Sequence, residues 1–237
     1  MGGVNPIAEK RGRPYKSAGI PWPALLVVRG TSTLPPMHLA LKLALLGSVL
    51  RVATFAAFTA EPVPAPDRPW ASHDLTLETG VLWEIGSLTT IPYRLVPTQL
   101  SWRSADLFGW TYENGARLVV RHRLTLIGTW VEHGPESRYI GVSGSPSIEL
   151  WNAAGNRSLY FGSGGGLGLT DSRNVPGGLG QDFTFNWFIR GGFEVVTARH
   201  AHLSAGIMYQ HLSNGGQTDP NPGIDALGFT LGYGWAF

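Results

Sequence analysis

The chain has no cysteine among its 237 residues, which excludes a disulfide framework and a thiolate metal site. Beyond residue 60 it also has no lysine: eleven scattered arginines stand against fifteen acidic residues, so the mature part is mildly acidic. A nucleic-acid partner needs clustered basic charge to neutralise phosphates, and nothing of that kind is present. The overall net charge of +2 comes from the first 60 residues, where seven Lys/Arg face Glu9 alone. No clean run of about 20 apolar residues marks a membrane-crossing helix. The one apolar stretch of that order is interrupted by Lys42 and Arg51.

What is abundant is glycine, at 32 residues, and tryptophan, at 9, with only 14% charged residues. That profile suits many strands with small residues on one face and aromatics on the other. Organisation along the chain follows composition. Residues 1–36 are rich in Pro, Gly and basic residues without periodicity and read as an upstream extension outside the fold. Residues 37–60, MHLALKLALLGSVLRVATFAAFTA, have a basic start, an apolar stretch and small residues at the end, as a secretory signal peptide does. A Pro-rich lead-in over 61–74 precedes the folded part, 75–237.

Past Trp70 the apolar positions alternate with a period of two. Leu75, Leu77, Val81, Trp83 and Ile85 share one parity, and Thr76, Glu78, Gly80, Glu84 and Gly86 the other. Phe183, Phe185, Trp187, Ile189, Phe193 and Val195 repeat the pattern against Thr184, Asn186, Arg190, Gly192 and Glu194, with Phe188 as the exception. Strands are expected near 75–86, 93–104, 117–132, 138–152, 158–170, 182–197, 201–213 and 225–237. In a soluble sandwich the apolar face would be the core. Two features favour the inverse. The polar face is crowded with small residues, such as Gly162, Gly164, Gly166 and Gly168, and its charged members Glu78, Glu84, Arg190 and Glu194 can pair inside a narrow barrel. The last strand alternates Phe229, Leu231, Tyr233, Trp235 and Phe237 with small residues, resembling the signal read by the outer-membrane barrel assembly machinery. The expected fold is therefore all-β: an eight-stranded antiparallel up-and-down transmembrane β-barrel.

The densest chemical signal lies in the last hairpin. Leu203, Ala205, Ile207 and Tyr209 form the apolar face of the seventh segment, and His211 and Ser213 continue that parity. Asp225 shares the parity of Phe229, Tyr233 and Phe237. All three polar side chains are thus expected on the lipid side, where ionisable groups are costly unless they serve a purpose. A histidine two residues from a serine on one strand face can take its proton, and a carboxylate on the next strand can orient the imidazole. The connecting loop offers the Gly216 backbone N–H and the Asn221 side-chain amide to a developing oxyanion.

The stretch His211-Leu212-Ser213-Asn214-Gly215-Gly216, followed by Pro220-Asn221-Pro222-Gly223-Ile224 and an acid fourteen residues after the histidine, resembles the PagL-type lipid A 3-O-deacylases, or outer-membrane acyloxyacyl hydrolases. The resemblance implies an outer-membrane serine esterase with lipid A, or lipopolysaccharide, as substrate and no metal or cofactor. It implies His211 as general base, Ser213 as nucleophile, Asp225 as the acid partner, Asn221 and Gly216 as the oxyanion hole, and Asn214 as a supporting residue. The chain departs from the best-known form at the acid, where Asp225 stands for a longer Glu. With both termini in the periplasm, as is usual for such barrels, the loop at 214–224 reaches the outer leaflet, where lipopolysaccharide resides.

Other features have plainer readings. His200 and His202 fall at a turn with no third ligand nearby, the run Gly162–Gly168 lacks the Lys-Ser/Thr of a phosphate loop, and Asp219 beside Pro220 suits a turn. Trp83, Trp102, Trp130, Trp151, Trp187 and Trp235 suit a membrane-interface girdle and barrel packing. The rival function is a non-catalytic structural or adhesion barrel. An outer-membrane phospholipase would need a larger barrel, and acyl transferases of this size keep their site inside it.

Overall fold

Runs that alternate large apolar with small or polar residues form strands because their two faces meet different surroundings. The computed structural model describes residues 68–86 and 91–237. It contains β1 (Asp74–Glu84), β2 (Arg94–Arg103), β3 (Phe108–Thr111), β4 (Arg117–His133), β5 (Arg138–Trp151), β6 (Arg157–Thr170), β7 (Phe183–Ala198), β8 (Ala201–Ser213) and β9 (Ile224–Ala236). A 3₁₀ turn, Pro69–Ala71, leads into β1. The upstream extension expected over 1–36, the leader over 37–60 and residues 61–67 of the lead-in lie outside the described residues.

Neighbouring strands pair antiparallel in the order β2-β1-β9-β8-β7-β6-β5-β4, and pairing of β2 with β4 closes the ring. The fold is the expected closed eight-stranded up-and-down barrel, which leaves no sheet edge around its wall. The eight expected segments coincide with these strands to within two residues at each end. β3 is an addition that the alternation did not announce. It pairs with Arg117–Val120 of β4, and its four residues are too short a run to show a period.

The faces are inverted relative to a soluble protein. Leu75, Leu77, Leu124, Leu126, Trp130, Leu159, Leu231 and Tyr233 are exposed on the outside, while Asp74, Thr76, Glu78, Gln99, Ser101 and Arg103 are buried inside. Glycine makes the narrow interior possible: a Cβ on Gly168 would sit 2.7 Å from the Tyr139 ring and closer still to the Ile140 carbonyl. Large side chains inside are held by charge. Arg103 reaches Asp74 at 3.0 Å, Glu149 at 2.9 Å and Glu194 at 2.8 Å, while Arg121 binds Asp74 at 2.9 Å. Glu78 pairs with Arg190, with Arg123 at 3.7 Å. Such charges survive burial only because each has opposite partners.

The ionic interior belongs to the rim where β1 begins and β9 ends, since Asp74 pairs with Ala236. Toward the other rim the interior becomes apolar, with Leu82, Leu95, Leu179, Met208, Leu212 and Ile224 in one buried cluster. Leu179 comes from the β6–β7 loop, which is pinned by the buried carboxylate of Glu136. Glu136 accepts from Tyr93 Oη at 2.8 Å, Ser172 Oγ at 2.8 Å and the Leu179 N–H at 2.9 Å. Burial, with Glu136 beside it, pushes the Tyr93 hydroxyl far up, so it remains a donor at any ordinary pH. This anchored loop forms one wall of the site.

Candidate active site

The site is built on the outer face of β8 and β9 and on the loop between them. In β8 the residues alternate between buried and half-buried, with Met208, Gln210 and Leu212 inside and Tyr209, His211 and Ser213 outside. His211 and Asp225 are directly opposite across the β8–β9 ladder. Their side chains meet there: His211 Nδ1 lies 2.8 Å from Asp225 Oδ1, with the histidine side chain 30% and the carboxylate 14% exposed. The parity argument thus placed both on one face, and the register brings them into hydrogen-bond contact.

Ser213 lies two residues along the same face and is paired across the sheet with Phe185 of β7. No direct hydrogen bond joins it to His211 among the described residues. With Nδ1 committed to Asp225, Nε2 is the ring nitrogen left for other work. Trp187 is the cross-strand neighbour of His211, so β7 contributes an aromatic wall of Phe183, Phe185 and Trp187 beside the polar pair.

The loop is shaped largely by Asn214, which is fully buried. Its Nδ2 donates to the carbonyls of Leu179 and Thr218, both at 2.7 Å, and its Oδ1 accepts from the Gly216 N–H at 2.8 Å. Its own N–H donates to Asn221 Oδ1 at 3.0 Å. Asn214, expected as a supporting residue, ties the loop to itself and to the pinned β6–β7 loop. Asn221 is oriented through its oxygen, which leaves its Nδ2 directed elsewhere. The Gly216 N–H, expected as an oxyanion donor, donates to Asn214 Oδ1.

Two glycines permit this packing. Gly223 has φ of +68°, and a Cβ there would stand 3.3 Å from His211 Cε1. On the opposite side, a Cβ on Gly86 would lie 3.0 Å from Asp225 Oδ2. Neither was singled out from the sequence, since a glycine's role here depends on which ring or carboxylate approaches it.

Alternation assigns Tyr209 to the apolar face and to the head of the stretch that holds His211 and Ser213, with no role of its own. In the structure its hydroxyl donates to Asp225 Oδ1, the same oxygen that meets His211, and its ring packs edge-on against Trp187 at 5.4 Å. Its parity, two residues before His211, was the available signal.

The histidines at the other rim do not form a comparable site. His202 is buried inside the barrel, 3.1 Å from Arg103 Nη2 and 3.3 Å from Thr76 Oγ1, while His200 lies against Trp235 at 5.9 Å. Of the glycine run, Gly162, Gly164, Gly166 and Gly168 take the inward positions of β6, across from β5.

No curated protein sequence matches the chain. Among solved structures it is similar to one described as a crystal structure of the outer membrane enzyme PagL, at 21% identity and a TM-score of 0.47, over 69% of this chain and 99% of that one. The family profile described as lipid A 3-O-deacylase (PagL) matches residues 92–234, from the start of β2 almost to the end of β9 and across every candidate site residue. With more than half of its length matched, the chain belongs to the PagL lipid A 3-O-deacylase family.

Proposed function

We propose that the protein is an outer-membrane serine esterase that hydrolyses an ester-linked acyl chain of lipid A at a site open to the outer leaflet. The observation that carries this reading is the His211–Asp225 pair, 2.8 Å apart on the outer face, with Ser213 two residues along that face. A buried or solvent-facing pair of the same type would be unremarked. On the apolar exterior of a barrel it needs a substrate that lies in the membrane.

In the proposed reaction His211 Nε2 takes the proton of Ser213 Oγ as that oxygen attacks the ester carbonyl. Asp225 holds the imidazole through Nδ1 and stabilises the charge that appears on it. The tetrahedral oxyanion is met by Asn221 Nδ2 and the Gly216 N–H. Of the two, Asn221 is the less encumbered donor, since the Gly216 N–H donates to Asn214 Oδ1 and would have to leave it or divide between two acceptors. The intermediate collapses as His211 returns its proton to the departing sugar hydroxyl, leaving the acyl group on Ser213. Water, deprotonated by the same histidine, then releases the fatty acid and restores Ser213. The scheme uses only side chains and backbone of this chain.

The substrate supports the orientation in turn. The loop at 214–223 lies at the rim opposite the one where Asp74 and Ala236 pair. If that paired rim faces the periplasm, the site meets the leaflet that holds lipopolysaccharide. Mass spectrometry of lipid A from cells that express the protein tests the reading: loss of one ester-linked chain is expected, and an unchanged acyl pattern favours the non-catalytic barrel instead. Ser213→Ala protein that is folded in membranes and still releases fatty acid would overturn the site.

A further inference from the structure

We infer that Tyr209 is a positioning residue for the reaction, holding the short carboxylate of Asp225 against His211. The inference rests on the reading of His211, Ser213 and Asp225 as the reacting set. It begins with a constraint of length. An aspartate directly across the ladder from His211 brings Oδ1 to the imidazole, while Oδ2 turns toward Gly86. One hydrogen bond would leave that carboxylate free to rotate on its short stem. It would also be poorly satisfied, because its neighbours along β9 on the same outer face are Leu227 and Phe229.

Tyr209 supplies the missing donor. It sits diagonally from Asp225 on the outer face of β8, and its hydroxyl donates to Oδ1, so one oxygen receives both Tyr209 and His211. The ring cannot easily swing aside, since Trp187 packs against it edge-on, at 72° between ring planes. Two donors from one strand, spaced by two residues, therefore fix both the rotation of the carboxylate and the oxygen it presents. Tyr209 touches neither the nucleophile nor the ester in the proposed reaction. It acts through Asp225.

A longer acid would not need this help. Asp225→Glu advances the carboxylate by one methylene, into the space that the Tyr209 hydroxyl occupies, and Tyr209→Phe vacates that space. The two changes are thus expected to compensate each other. The test uses the full-length protein in detergent micelles containing lipid A, with initial rates of fatty-acid release measured against lipid A concentration. Folding of each variant is checked by the mobility of unheated samples on a denaturing gel.

Tyr209→Phe is expected to lower kcat about tenfold with KM within roughly twofold of the parent, as for loss of a hydrogen bond to a charged group that orders the reacting set. Asp225→Glu alone is also expected to be slow. The double variant is expected to recover to within about threefold of the parent rate, a non-additivity that a merely structural tyrosine would not produce. The inference is overturned if Tyr209→Phe keeps the parent kcat, or if the two losses simply multiply in the double variant. Ser213→Ala is run alongside. An active Ser213→Ala protein removes the reacting set and this inference with it, whereas an inactive one beside a full-rate Tyr209→Phe removes only the role of Tyr209.

Discussion

The barrel holds two histidine–carboxylate groupings, and their surroundings are opposite. His202 lies inside near the rim where the strands begin and end, with Arg103 at 3.1 Å and Glu194 at 3.8 Å, and only 6% of its side chain is exposed. His211 lies outside toward the other rim, with Asp225 at 2.8 Å and 30% of its side chain exposed. Around His202 the acids are already matched to arginine, so its carboxylates are neutralised by neighbours rather than kept for an imidazolium. Around His211 the side-chain partners of the acid among the described residues are the histidine and a tyrosine, and a serine is within the same strand face. In the proposed reading, a histidine beside a carboxylate becomes chemistry where no arginine neutralises the acid and a substrate can arrive. Where arginine saturates the acids, the same pair holds the fold.

This contrast can be broken most sharply by exchanging the two histidines' fates. His211→Ala is expected to lower fatty-acid release from lipid A by on the order of 10⁴-fold or more while the barrel folds normally. His202→Gln is expected to leave the rate per folded molecule within about twofold of the parent, because it touches no reacting group. A large rate loss in the second variant would erase the distinction.

Arg103→Met probes the ionic interior near the rim where β1 begins. It strands Asp74, Glu149 and Glu194 without their shared cation, and removing one partner of buried ion pairs costs about 3–5 kcal/mol. Urea unfolding in vesicles should register that loss, and activity per folded molecule should not change. Gly223→Ala tests the outer site in the same way. Its positive φ and the 3.3 Å approach that an added Cβ would make to His211 Cε1 predict about 1–2 kcal/mol of destabilisation, with a rate lower by about tenfold. A wild-type rate would mean that the imidazole tolerates displacement.

The smallest expected effect concerns the loop that walls the site. Although partial burial opposes it, Ser137 and the N–H groups of Ser137 and Arg138 hold the Asp171 carboxyl below its ordinary range. A depressed carboxyl stabilises the folded form above its unfolded value and loses that contribution as pH falls through its folded value. Protection of the β4–β5 turn amides against hydrogen exchange, taken relative to their intrinsic rate at each pH, should therefore stay constant from neutrality down to the ordinary carboxylate range and fall only below it. Asp171→Asn should lower that protection at neutral pH already.

Much of the fold was legible because strand alternation is a local property. Thr76 and Glu78 against Leu75 and Leu77 already assign two faces, and the glycines of β6 indicate which face has little room. β3 was not legible, since Phe108–Thr111 offers four residues and depends on its partner in β4. In the site, the parity of His211, Ser213 and Asp225 placed them on one face, and their motif gave the expected roles. Tyr209 was hidden because a tyrosine in an apolar stripe looks like the stripe. Only the position of an acid on the next strand turns its hydroxyl toward chemistry. Gly86 and Gly223 were hidden for a similar reason: a glycine's neighbours come from elsewhere in the chain.

By itself, the sequence determined the period, the number of wall strands and the side of the wall on which each polar residue stands, because these follow from the two-residue repeat of a strand. The tertiary structure decided which residues on that side meet. Register across the ladder set His211 opposite Asp225 and brought Tyr209 to the same oxygen. Those pairings depend on how far one strand has slid along another, which alternation leaves open to any even shift and which closure of the ring and packing of its interior resolve.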